Sequence, residues 1–153
     1  MTGVTAMPLF HGVRTFFQAP GEMKHLYLEA YLNLAWARLL ILLPFSKIAP
    51  SLGQRMGETP FVDRPEDQEE LNHIGYAIQV MSRHTFWKSQ CLVRAIAAMN
   101  MLHRRNIDCT LYLGLGKSDE GMIAHALLRS GTRYITGGDV DLKFTIVGKF
   151  AKG

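Results

Sequence analysis

CLVRAIAAMNMLHRRNIDCTLYLGL, residues 91 to 115, changes its period halfway along. Up to Arg105 the apolar residues Leu92, Ile96, Met99 and Leu102 recur at helical spacing, and Arg94, Arg104 and Arg105 fall outside their stripe. This half predicts an amphipathic helix, with Ser89 as its N-cap and Cys91 in its first turn. From Cys109 the apolar residues Cys109, Leu111, Leu113 and Leu115 alternate with Thr110, Tyr112 and Gly114, which is the period of a strand with one apolar face.

Further strands follow. Residues 116–121 have turn composition, MIAHALLR (122–129) predicts a second strand, Ser130–Gly131 a tight turn, and TRYIT and KFTIV a third and a fourth strand in an antiparallel meander. Upstream the pattern is helical. After an irregular or partly helical lead-in over residues 1–22, a long helix is predicted from about Glu22 to Leu43, stopped by Pro44. IAPSLGQRMGETPFVDRP, residues 48–65, is the longest connector. Pro65, the acids Glu66, Asp67, Glu69 and Glu70, and the apolar face Leu71, Ile74, Ile78 and Met81 predict a second helix over 65–83. Helices first and strands last make an α+β fold, with N-terminal helices packed on a small antiparallel sheet. The expected organisation is one domain over 1–153, with a helical N-terminal extension (1–64) and a core (65–153).

At 153 residues the chain can bury a core without staples. It has two cysteines, eight methionines and no signal-peptide pattern, so free thiols and a cytoplasmic location are expected. The formal charge of +4 comes from dispersed basic residues, with no basic stripe interleaved with aromatics, so nucleic acid is not an expected partner. LYLEAYLNLAWARLLILLPF, residues 26–45, is interrupted by Glu29, Asn33 and Arg38, which argues against a membrane span. Most of its circumference is apolar, so it needs cover on several sides. That cover is this domain's own core, a partner protein or a membrane surface, which leaves a location peripheral to the membrane open.

Cys91 is the chemical signal. Unpaired N–H groups and the helix dipole favour a thiolate at a helix start, whereas a lone cysteine is otherwise a small apolar core residue. Cys109, on the apolar face of a strand, reads as structural. His125 lies within the second strand, and an acid follows beyond the next turn, at Asp139 or Asp141. In that order the three are the parts of a cysteine hydrolase: a nucleophile, a base that takes its proton, and an acid that holds the ring. His73 and His84 sit at no recognised metal spacing, and no metal or other cofactor is expected.

FWKSQCLVRAIAAMNMLHRRNIDCTLYLGL and MIAHALLRSGTRYITGG resemble the lasso-peptide leader peptidases, transglutaminase-like proteins that remove the leader from a ribosomally made lasso-peptide precursor. LYLEAYLNLAWARLLILLPFSKIAPSLG is similar to their helical N-terminal part. The most specific pieces are the tryptophan four residues before Cys91, the CLVRA run and the AHA around His125. The resemblance implies a papain/transglutaminase-like core over 65–153, with Cys91 as nucleophile and His125 as general base. Family members often read AHAW, where this chain has Leu127. Many also place an aspartate about twelve residues after the histidine, where this chain has Gly137. Asp139 is then the candidate third member, Asp141 the second, and a backbone carbonyl or water the substitute if neither reaches His125. The implied partners are the leader region of the precursor, a separate leader-binding protein (a RiPP recognition element) and the lasso cyclase. An acyl-transferase with the same triad and a non-catalytic peptide-binding module are the competing readings.

Overall fold

The computed structural model describes residues 21–83, 91–118, 121–137 and 144–152. The lead-in over 1–20, His84, Trp87, the Ser89 cap, Asp139 and Asp141 lie outside the described residues. Helix α1 (Gly21–Leu40) ends before Leu43, where the sequence pattern places its stop. The chain tightens first: the N–H of Leu42 donates to the Leu39 carbonyl at 3.2 Å and that of Leu43 to Leu40 at 3.0 Å. Pro44, lacking an N–H, then leads into the short α2 (Phe45–Ile48).

Helix α1 buries Leu26, Ala30, Leu34 and Ala37, one stripe, against α3 (Gln68–Ser82) and α4 (Cys91–Arg104). Full burial of a leucine such as Leu34 is worth about 1.5–3 kcal/mol. The other side, Leu28, Leu32, Trp36 and Leu39, is exposed, so the expected cover on several sides is present on one. Among the described residues no helix is long and apolar enough to cross a membrane. Glu29, whose charge marks it as a surface position in the sequence, is instead a helix tie. Its carboxylate accepts from Arg104 at 3.0 Å and from both terminal nitrogens of Arg105 at 2.8 and 2.7 Å, while Arg105 Nε donates to Glu70 of α3. These arginines hold the Glu29 carboxyl below its ordinary value.

Helix α4 is buried on more of its circumference than one stripe: Val93, Ala95, Ile96, Ala97, Ala98, Met99, Met101 and Leu102 all lie inside. It is sandwiched between helices on one side and the sheet on the other, and its alanines let both approach. Its end is a Schellman cap. Asn106 takes φ +57°, its N–H donates to His103 and that of Ile107 to Leu102, which satisfies two end carbonyls and turns the chain into β2 (Cys109–Ser118).

Strands β3 (Gly121–Ser130), β4 (Arg133–Thr136) and β5 (Phe144–Lys152) follow, and a short β1 (Gln54–Arg55) comes from the connector. The sheet is antiparallel throughout, in the order β1-β5-β2-β3-β4. The expected meander therefore holds only for β2, β3 and β4. The last strand returns to the free edge of β2, and α3 lies against β4, where a side chain at Gly75 would meet the Ile135 carbonyl at 3.4 Å. At β2, Phe150 pairs opposite Leu111 and both are buried.

Thr110 and Tyr112, on the polar face of the sequence pattern, are buried as well. The connector folds across this second face and supplies part of the acceptor set of Arg129, which is 1% exposed. Its guanidinium donates to Tyr112 Oη at 3.0 Å, Thr59 O at 2.8 Å and Gly131 O at 2.5 Å, and stacks 3.6 Å over the Phe61 ring. Residues 48–65 thus cover the sheet and extend it, beyond joining two helical layers.

Candidate active site

Cys91 is the first described residue of α4 and is half-buried, whereas Cys109 is fully buried on the helix-facing side of β2, where desolvation pushes its thiol up to about 12. His125 stands opposite Gly114 within the β2–β3 ladder. Strand alternation sets it on the side of Tyr112 and Arg129, not on the side of Leu111 and Ala126 that packs on α4. The imidazole and the thiol nevertheless share a cavity at the start of the described part of α4. Both line one open cavity of about 320 Å³, whose walls are mainly apolar and include Phe45, Leu92, Leu113 and Val147. A larger cavity of about 560 Å³ shares Phe45, Leu113 and Val147 and continues toward β1.

The ring is held from the next strand end. His125 Nε2 lies 3.1 Å from the carbonyl oxygen of Gly137. A carbonyl can only accept, so this contact assigns a proton to Nε2. Gly137 is the position where relatives of the resemblance often carry aspartate. Here φ is +80°, and a Cβ would lie 2.5 Å from the Ala126 carbonyl oxygen and 3.1 Å from His125 Nε2. The backbone can approach this closely only because there is no side chain. The sequence reading that a carbonyl can stand in for the acid has a concrete candidate in Gly137, and both aspartates lie outside the described residues.

In the sequence Arg94 stands out only as a residue outside the apolar stripe. The fold buries its Nε without a hydrogen-bond partner, and Thr136 Oγ1 is in the same condition. One signal was available: CLVRAIAAMNMLHR contains no acid to pair with that arginine along the helix. Among the described residues no group of three or more His, Cys, Asp or Glu side chains is arranged to hold a metal ion.

A family model described as the transglutaminase-like superfamily matches residues 39–149, a span that runs from the end of α1 into β5 and includes both Cys91 and His125. Neither a curated protein nor a solved structure matches the chain. The match covers most of the 153 residues and fits an α+β core in which a cysteine opens a central helix and a histidine follows on the sheet. The chain therefore belongs to the transglutaminase-like superfamily, which includes cysteine peptidases and acyltransferases.

Proposed function

We propose that this protein is a cysteine endopeptidase that hydrolyses the leader–core bond of a ribosomally made lasso-peptide precursor. The observation that carries the chemical part is the cavity shared by Cys91 and His125, with His125 Nε2 facing the Gly137 carbonyl. The lasso-peptide part rests on the resemblance of the FWKSQCLVRA and AHA stretches.

With Nε2 protonated, Nδ1 of His125 accepts the Cys91 proton, and the sulfur attacks the peptide carbonyl. The backbone N–H of Cys91, at a helix start and so without a helical acceptor, donates to the oxyanion. Such a donor is worth about 2.7–4 kcal/mol. Collapse of the tetrahedral adduct breaks the C–N bond, and the imidazolium gives its proton to the departing amine. Water, deprotonated by His125, then attacks the thioester and releases the leader acid and the thiol. Gly137 O orients the ring. Asp139, with Asp141 second, is the proposed acid that adds to this hold, and a separate leader-binding protein presents the precursor.

The test is mass spectrometry of a candidate precursor incubated with the protein, with and without a leader-binding partner, beside Cys91→Ala and His125→Ala. Cleavage that adds one water and disappears in both variants is the expected result. An amine added in place of water identifies acyl transfer instead. Full-speed cleavage by Cys91→Ala refutes the mechanism. Asp139→Asn and Asp141→Asn decide the third role: a fall in rate assigns the acid, and an unchanged rate leaves the Gly137 carbonyl as the sufficient orienting group.

A further inference from the structure

A second cavity, of about 270 Å³, lies between α3, α4 and β4, with Gln79, Arg94, Tyr134, Thr136 and Gly137 among its walls. It contains two buried polar atoms without partners, Arg94 Nε and Thr136 Oγ1. Among the described residues no acidic side chain lines it and Arg94 takes part in no ion pair. By contrast Arg105, partly buried just past the far end of α4, is paired twice, and the fully buried Arg129 has a complete set of acceptors. A guanidinium with a desolvated, unpaired Nε costs free energy unless an anion supplies the acceptor.

We infer that this cavity is a carboxylate subsite. The planar guanidinium matches a carboxylate through two parallel N–H donors, and the Thr136 hydroxyl is a third donor nearby. Its location ties it to the reaction. Arg94 follows Cys91 by three residues, a rise of about 4.5 Å along the helix. Gly137 lines this cavity and also holds His125 with its carbonyl. An extended peptide advances about 3.3 Å per residue, so the carboxylate belongs to a residue within a few positions of the bond attacked by Cys91. This placement rests on the peptidase reading. The anion site itself does not. The carboxylate comes from an aspartate or glutamate side chain or from a free peptide C-terminus, and the two sources are separable by experiment.

The test is calorimetric titration of the full chain, at constant ionic strength, with three probes. N-acetyl-aspartate α-amide carries a side-chain carboxylate, N-acetyl-alanine a terminal one, and N-acetyl-asparagine amide none. The expected result is saturable binding of one or both carboxylates, at least tenfold weaker for the neutral probe and at least tenfold weaker for Arg94→Gln. Thr136→Val weakens binding several-fold. Without ligand, Arg94→Met melts no lower than the parent, because it removes an unpaired buried group and no contact that holds the fold. Binding that ignores Arg94, equal binding of the neutral probe, or a large loss of melting temperature in Arg94→Met overturns the inference. The same titration on Cys91→Ala needs no turnover, so its outcome is separate from that of the peptidase assay.

Discussion

Replacing Gly137 with alanine tests the tightest contact of the site. The new Cβ would lie 2.5 Å from Ala126 O, 2.9 Å from Leu127 Cδ2 and 3.1 Å from His125 Nε2, at φ +80°. The leucine methyl can rotate away, but the Ala126 carbonyl is part of the β3 backbone. A left-handed backbone costs an L-residue about 1–2 kcal/mol, and relief of the overlap about 1–3 kcal/mol. The sum, about 2–5 kcal/mol, corresponds to a fall in melting temperature of roughly 4–20 °C for a domain of this size. Gly121→Ala is the control, with φ +115° and nothing within 4 Å of its Cβ, so it carries only a backbone cost. Thermal melts of both variants separate overlap from conformation. Because the Gly137 carbonyl moves with the chain, precursor cleavage at a temperature where Gly137→Ala remains folded falls about 100-fold. Equal melting temperatures for the two variants would refute the packing argument. Unimpaired cleavage by folded Gly137→Ala would refute the role given to its carbonyl.

Iodoacetamide at mildly alkaline pH alkylates Cys91 in the native protein and leaves Cys109, whose thiol is pushed up to about 12, unmodified until urea exposes it; peptide mass mapping reads this directly. Glu29→Gln destabilises by about 1.5–3 kcal/mol in urea melts near neutral pH, because charged acceptors of Arg104 and Arg105 are lost. Glu29 is held below its ordinary value of 4.5, so its contribution is complete above that pH and disappears as the pH falls through the lowered native value. The gap between parent and variant therefore narrows in acid, and a gap independent of pH would contradict the ion pair. Arg129→Met lowers the urea midpoint by the equivalent of about 3–5 kcal/mol, since it strips a buried acceptor set of its donor.

Helices and strands were legible wherever apolar residues repeat at their own period. The pattern of 91–115 placed Cys91 on α4 and Cys109 inside the core, and the apolar face of 65–83 placed α3, because such periods depend only on near neighbours. The strand that carries His125 was also legible, as MIAHALLR between two turn signals. Other features depend on residues far apart in the chain. Glu29 looked like a surface charge because its partners are 75 and 76 positions away. The second face of β2 looked wet because Thr59 and Phe61, which help cover it, come from a connector with no periodicity. Neither the return of β5 to β2 nor the Gly137 carbonyl against His125 leaves a local trace, since each is selected by which edges and acceptors remain free after the chain has closed on itself. Local spacing thus carries the kinds of elements and the places of the proposed reacting residues along them. Strand order, ion-pair partners and the group that orients the imidazole come from packing.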